Sequence, residues 1–106
     1  MLITTTDIVD GRQVYEYHGI VSGQSIVGAT IFKDIFAGFR DFFGGRSKSY
    51  EKTLNAAREE AIADMSEAAK QKGCDAVIGM DIEYQVIGRK NSMLMVAVTG
   101  SAVRLR

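Results

Sequence analysis

The chain reads Met93-Leu94-Met95-Val96-Ala97-Val98-Thr99-Gly100-Ser101-Ala102-Val103-Arg104 near its end, and this stretch decides the fold. In its first half, apolar side chains occupy successive positions, so they point to both faces of an extended strand. A strand that is apolar on both faces is typically central in its sheet and covered on both sides. The stretch therefore predicts a middle strand over residues 93–104.

Two further stretches have strand character. Residues 76–87 alternate apolar and polar side chains, and the turn-forming residues 88–92 join them to the middle strand as an antiparallel hairpin. Residues 13–22 are rich in aromatic and β-branched side chains, and their alternation puts Glu16, His18 and Ile20 on one face.

Two helices are expected between these strands. Phenylalanines recur at helical spacing over residues 31–43, and Gly44-Gly45 follows as a stop signal. Residues 48–72 carry an apolar stripe on a charged helix that Gly73 ends. The order predicts an α+β protein (β-α-α-β-β) with a three-stranded antiparallel sheet and its helices on one face.

This architecture leaves apolar surface without a partner. Helices on one face of the sheet do not cover the other face of the middle strand. Monomers rarely expose large contiguous apolar patches, and open strand edges tend to pair with another chain. We therefore expect a symmetric homo-oligomer, in which a closed ring would cover both faces and edges.

Composition narrows the class of protein. The chain has 106 residues, which predicts a single domain over residues 1–106. Its 13 basic residues balance 13 acidic ones, so nothing favours nucleic acid or an anionic membrane surface. With a single cysteine, Cys74, no internal disulfide can form, and residues 1–7 do not resemble a signal peptide. These features predict a cytoplasmic protein.

The chain resembles the YbjQ family, small bacterial proteins that are labelled as heavy-metal-binding domains. The resemblance covers nearly the whole chain and is carried by several segments, namely Gly28-Ala29-Thr30-Ile31-Phe32-Lys33-Asp34, Gly44-Gly45-Arg46-Ser47 with Tyr50-Glu51, Ala57-Arg58 with Ala61, and Gly73 with Asp75-Ala76-Val77-Ile78-Gly79. It implies a dodecin-like subunit, a last strand in the middle of the sheet, and a ring-shaped homo-oligomer, with a pentamer favoured. It implies no established reaction.

A metal ion is the ligand that the family label suggests. Transition-metal sites usually need three or four His, Cys or carboxylate ligands, and the chain has one histidine and one cysteine. Glu16 and His18 share a strand face at i and i+2, so they are the candidate metal ligands. The simpler interpretation is a strand histidine with ordinary hydrogen bonds, unless a ring gathers one His18 from each protomer. The methionines are better explained as core filling.

A second candidate site is Gly44-Gly45-Arg46-Ser47, which precedes the long helix. Free backbone N–H groups at a helix start attract anions, and the guanidinium of Arg46 can clamp a phosphate or carboxylate. The alternative is a helix–helix corner, in which the glycines make the turn, the serine caps the helix, and Arg46 pairs with a neighbouring carboxylate.

Catalytic residues are not evident. No Ser-His-Asp or Cys-His arrangement can be argued from the one histidine in the sequence, and Cys74 follows a helix C-terminus, which disfavours a thiolate. The leading hypothesis is a non-enzymatic homo-oligomer that binds a small ligand or a divalent metal ion, metal being what the family label suggests. The alternatives are a structural, partner-binding ring without a ligand site, and an enzyme whose site lies between subunits.

The anion hypothesis predicts a thermal shift. Inorganic phosphate should raise the melting temperature of the protein, because an anion that binds only the folded state stabilises it. The substitution Arg46→Ala should abolish the rise, as measured by differential scanning fluorimetry. An equal rise in both proteins would assign the effect to non-specific salt stabilisation.

Overall fold

A computed structural model describes residues 1–29, 31 and 48–106. In this part of the chain the protein is α+β, with one long helix and a four-stranded mixed sheet. The elements in chain order are β1 (Leu2–Ile3), β2 (Val14–Val27), α1 (Lys48–Gln71), β3 (Ala76–Ile87) and β4 (Met93–Leu105), with a short 3₁₀ turn at Arg89–Asn91 between the last two strands. The sheet order is β1-β3-β4-β2.

The prediction of a central last strand is confirmed. β4 pairs antiparallel with β3 on one side and with β2 on the other. Val96, Val98 and Ala102, on one face of β4, are fully buried in a core that they share with α1. On its opposite face Val103 is also fully buried. The opposite face of β4 is thus covered near Val103 and Leu105, whereas Met93, Met95 and Ala97 on the same face are half-buried.

The expected sheet of three antiparallel strands is not confirmed as such: β2, β4 and β3 pair antiparallel, but a fourth strand makes the sheet mixed. Leu2 and Ile3 add a fourth strand that runs parallel to β3, in register with Ala76 and Val77. Further backbone hydrogen bonds extend the attachment, with the amide of Thr4 donating to the carbonyl of Val77 at 2.9 Å. Two residues are too few to show an alternating pattern, so this strand left no signal in the sequence.

β2 is longer than the predicted strand over residues 13–22. It continues to Val27, and Val21, Gly23, Ser25 and Val27 all face the core. Gly23 and Ser25 occupy inward positions without being large apolar residues, so they interrupt the alternating pattern that predicts a strand. In addition, Ser22-Gly23 resembles a turn. The buried Ser25 hydroxyl donates to the carboxylate of Glu60 on α1 at 3.2 Å, which satisfies it inside the core.

The chain itself covers part of the sheet face turned away from α1. Ala76, Ile78, Val103 and Leu105 form a second buried cluster on that face, against which Val9 and Val14 pack. The amide of Arg106 donates to the carbonyl of Gln13 at 2.8 Å. We expected neighbouring protomers to cover this whole face. The structure corrects this expectation, because the N-terminal segment of the same chain covers the part of the face near Leu105.

The helix predicted over residues 31–43 lies outside the described residues, apart from Ile31. The second predicted helix, over residues 48–72, is present as α1 and ends one residue earlier than expected. A Gly73 with φ +73° follows α1, as expected for a glycine that stops a helix.

α1 packs on β2 at its closest at Gly23. A Cβ added there would collide with the Ala61 carbonyl oxygen and lie 2.7 Å from the Met65 backbone nitrogen. Both contacts are to helix backbone, which cannot move aside without shifting the whole helix. Ala57, Ala61 and Ala69 on α1 are likewise buried and small. Small residues on both elements therefore set the distance between helix and sheet.

The substitution Gly23→Ala should destabilise the fold by about 1–3 kcal/mol, because the added methyl group overpacks this contact. The measurement is urea denaturation followed by circular dichroism at fixed protein concentration. Gly28→Ala is the matched control, since a Cβ at Gly28 meets none of the described atoms within 4 Å. Equal stability of the two variants would show that α1 can retreat from β2 freely.

Candidate functional site

The candidate site is the contact between Glu16 and His18 on β2. The Nε2 atom of His18 lies 2.8 Å from the Oε2 atom of Glu16. The side chain of His18 is 34% exposed and that of Glu16 44% exposed, so both are within reach of solvent. The structure therefore places the two predicted residues in direct contact with each other.

The two side chains reach this position because β2 is irregular on either side of them. The register with β4 shifts between Val14 and Glu16, and again between Tyr17 and Ile20. At the second shift His18 and Gly19 stand against a single residue of β4, and Gly19 has a φ of +89°, which a glycine adopts easily. Bulges of this kind re-aim side chains.

The bulges also change which residues share a face. Glu16 pairs with Arg104, on the α1 side of β4, whereas Ile20 pairs with Ser101 on the opposite face. Simple alternation had placed Ile20 beside Glu16 and His18. The sequence offered one weak signal for the difference, namely a glycine inside a strand pattern at position 19.

A cation and an aromatic ring complete the surroundings of Glu16. The Nη1 atom of Arg104 lies 3.6 Å from the Oε2 atom of Glu16. The guanidinium groups of Arg104 and Arg106 lie 5.7 Å and 5.0 Å from the centre of the Tyr15 ring. This Tyr15–Arg104–Arg106 group was missed in the sequence, because the ring and the two cations meet only after β2 and β4 pair.

The electrostatics of the site favour an ionised Glu16. The hydrogen bond with His18 lowers the pKa of the Glu16 carboxyl below its usual value, and the charge of Arg104 acts in the same direction. Burial opposes them, but the carboxylate remains the favoured form. Glu16 is therefore an oxygen donor that is ready to accept a hydrogen bond or an ion.

The described residues of one protomer do not form a complete metal site. Within residues 1–29, 31 and 48–106, no group of three or more His, Cys, Asp or Glu side chains is placed to hold a metal ion. A structural zinc site uses four protein ligands and a catalytic one uses three. Glu16 and His18 are two, so the pair alone does not fit the metal that the family label implies.

The thiol of Cys74 does not add to the donor set. Its side chain is only 7% exposed and lies just beyond the end of α1. Burial raises the pKa of the Cys74 thiol, and the negative charge of Asp75 raises it further. A buried, protonated thiol is a poor nucleophile and a poor metal ligand. The structure supports the expectation of an inert cysteine.

The methionines lie apart from the candidate ligands. Met65 is fully buried in the core, and Met80 packs against the same core from β3. Met93 and Met95 are half-buried on the face of β4 turned away from α1. Their positions agree with core and surface packing, as predicted.

The second candidate site, Gly44-Gly45-Arg46-Ser47, lies outside the described residues. An open groove of about 400 Å³ is present elsewhere, lined by Leu2, Thr4, Thr6, Ile8, Val9 and Asp10. The Thr6 hydroxyl already donates to the Ile8 carbonyl at 2.7 Å and contacts the Thr4 hydroxyl at 2.9 Å. Its threonine hydroxyls are therefore engaged with one another and with the backbone.

The fold and site together define a small α+β protein built from one helix on a mixed sheet, with a carboxylate–imidazole pair on an edge strand. The sequence profile of the YbjQ family, described as "Putative heavy-metal-binding", matches residues 1–106. The chain belongs to this family. The predicted family membership is confirmed.

A solved structure has the same fold. It is the crystal structure of a protein of unknown function from Pediococcus pentosaceus, assigned to the DUF74 family. The superposition has a TM-score of 0.71 and covers 100% of this chain and 98% of that one, with 18% sequence identity. At this level of identity the similarity establishes the architecture, and the other protein has no function to compare.

The pKa of Glu16 provides a test of the site. In His18→Ala the pKa of the Glu16 carboxyl should rise, because the largest cause of its lowering is removed. Because the pKa of the Glu16 carboxyl is lower in the folded protein than its ordinary value, the contact stabilises the fold above that ordinary value, and this stabilisation is lost as the pH falls through the folded pKa. The measurement is the Glu16 side-chain carbon shift in an NMR titration. Ser22→Ala is the control, and an unchanged Glu16 pKa in His18→Ala would contradict the contact.

Proposed function

We propose that this protein is a homo-oligomeric binding protein without a reaction of its own, and that its ligand sites lie where protomers meet. The observation that carries the proposal is a row of exposed apolar side chains along β2. Tyr17 is 73% exposed, Ile20 79% and Ile26 55%, and all three pair with β4 residues on the face away from α1. We call these three residues the outer patch.

The outer patch lies on an edge strand. In the part of the chain that the structure describes, β2 is hydrogen-bonded to β4 on one side and occupies the end of the sheet order. An edge strand with large apolar side chains pairs readily with another chain unless it is covered. A second copy of the protein is the partner that would cover the patch in every protomer at once.

A binding role is supported over catalysis by the chemistry of the titratable groups. The imidazole of His18 is paired with a carboxylate rather than with a nucleophile. The buried thiol of Cys74 has a raised pKa. An enzyme with a site assembled from several subunits is the alternative, and it would need groups that a single protomer does not bring together.

We propose that the assembly is a closed ring of dodecin-like subunits and favour a pentamer, as the family resemblance implies. The two edges of the sheet are formed by different strands, β2 at one edge and β1 at the other. A contact between unlike surfaces repeats around a ring if the rotation closes. The cytoplasm is the proposed compartment, in keeping with the lone, reduced cysteine. Among the described residues, no helix has the length and apolar character needed to span a membrane.

The outer patch predicts a charge-sensitive assembly. Ile20→Lys should lower the molar mass measured by size-exclusion chromatography with multi-angle light scattering, because it places an unpaired charge inside the proposed contact. Ala63→Lys adds the same charge to the exposed face of α1 and should leave the mass unchanged. Circular dichroism checks that both variants are folded.

Two results would overturn this proposal. The first is a molar mass of one chain, about 11.6 kDa, for the unmodified protein at all concentrations tested. The second is an unchanged mass for Ile20→Lys, which would place the contact between protomers elsewhere. The second result would leave an oligomer but remove the outer patch from its interface.

A further inference from the structure

We propose that the guanidinium groups of Arg104 and Arg106 bind the phosphate group of a small molecule at the end of the sheet, beside the ring of Tyr15. We call these three residues the arginine cluster. The cluster lies within one chain, so this inference does not depend on the proposed homo-oligomer. It adds a ligand class, small phosphorylated molecules, to the proposed binding role.

The first support is the convergence of two like charges. The guanidinium groups of Arg104 and Arg106 lie 5.7 Å and 5.0 Å from the centre of the same Tyr15 ring. The face of an aromatic ring attracts a cation, but the ring has no net charge and neutralises neither guanidinium. Two cations held on one ring repel each other, and an anion that contacts both offsets this repulsion.

The second support is the set of hydrogen-bond donors that the two arginines do not use. A guanidinium group carries five N–H donors. The Nη1 atom of Arg104 lies 3.6 Å from the Oε2 atom of Glu16, whereas a charge-assisted hydrogen bond is about 2.7–2.9 Å long. Within residues 1–29, 31 and 48–106, the guanidinium of Arg106 forms no ion pair. Both groups therefore present N–H donors that a ligand can use.

The third support is that hydrogen bonds fix the backbone beneath the two arginines. The amide of Arg106 donates to the carbonyl of Gln13 at 2.8 Å, and the Nε atom of Arg12 donates to the carbonyl of Arg106 at 3.2 Å. Leu105, between the two arginines, is buried, and its amide donates to the carboxylate of Asp75 at 2.9 Å. Strand alternation about the buried Leu105 therefore directs both cationic side chains to solvent.

Tyr15 reaches the two cations because β2 is irregular at this residue. The register with β4 shifts between Val14 and Glu16, so Tyr15 is an extra residue without a partner on β4. A bulge of this kind re-aims the side chain of the extra residue. The Tyr15 residue is 39% exposed, so the ring and the cations beside it are accessible to a ligand from solvent.

The donor chemistry favours phosphate as the anion. A planar guanidinium binds two oxygens of a carboxylate or a phosphate through parallel N–H···O bonds. A phosphate monoester has a charge of about −1.5 to −2 near pH 7 and three acceptor oxygens, so it can contact both guanidinium groups at once. A monocarboxylate has a single charge and two oxygens, which one arginine engages. The arginine cluster therefore favours phosphate over a simple carboxylate.

Glu16 competes with the ligand for Arg104 and offers one test. Its carboxylate is the negative group that contacts Arg104, and the hydrogen bond with His18 keeps it ionised by lowering its pKa. A phosphate that binds Arg104 must approach this negative charge or displace it. Glu16→Gln removes the charge, so it should strengthen phosphate binding several-fold.

The experiment is an NMR titration of the full chain with inorganic phosphate at constant ionic strength, followed through the ring resonances of Tyr15. The shift should saturate, and acetate should bind more weakly than phosphate. Arg106→Gln should weaken phosphate binding about tenfold or more, because charge-assisted hydrogen bonds are lost. Arg89→Gln is the matched control, since Arg89 lies in the turn at the other end of β4 and its loss changes the net charge equally. Circular dichroism checks that both variants are folded.

Four outcomes would overturn the phosphate site. The first three are a Tyr15 shift that does not saturate, equal phosphate affinity of Arg106→Gln and Arg89→Gln, and equal affinity of the unmodified protein for phosphate and acetate. The fourth is a Tyr15 shift that Arg46→Ala abolishes, because the phosphate would then bind at Gly44-Gly45-Arg46-Ser47. Light scattering tests the proposed homo-oligomer separately, since none of these four results depends on the molar mass.

Discussion

The central position of β4, which is buried along its face toward α1 and near Val103 on the other face, is the constraint on which the rest of the structure depends. Val96, Val98 and Ala102 are fully buried toward α1, and Val103 is fully buried toward the N-terminal segment. A strand with two apolar faces must lie between other strands and between two covering layers. This places β3 and β2 at its sides, α1 above it, and part of the chain's own N-terminus beneath it.

The sequence predicted the elements with strong periodic signals and missed those without them. α1, β3 and β4 are found within a residue of their predicted bounds, because each repeats an apolar pattern over many residues. β1 has two residues and no pattern. The end of β2 was missed because Gly23 and Ser25 replace large apolar side chains where the helix comes close.

The candidate site could be predicted in part for similar reasons. Spacing along a strand predicted that Glu16 and His18 lie together, and their side chains are in contact. The register shifts and the position of Arg104 depend on how β2 pairs with β4, which is a long-range property. Single-sequence patterns report local order and carry little information about such pairings.

The two bulges in β2 have a consequence for how this surface can change by mutation. Along a regular strand, odd and even residues point to opposite faces of the sheet. Each extra residue in a bulge exchanges the faces for all the residues that follow it in the strand. Glu16 and His18 sit between two such reversals, while Ile20 and Val14 lie outside them. With strict alternation His18 and Ile20, two positions apart, would share one face, so the extra residue at the second bulge is what puts the imidazole and this apolar side chain on opposite sides of the sheet. The number of residues in and between the bulges therefore matters as much as their identity. It determines which face of the sheet carries Glu16 and His18 and which face carries the apolar contacts.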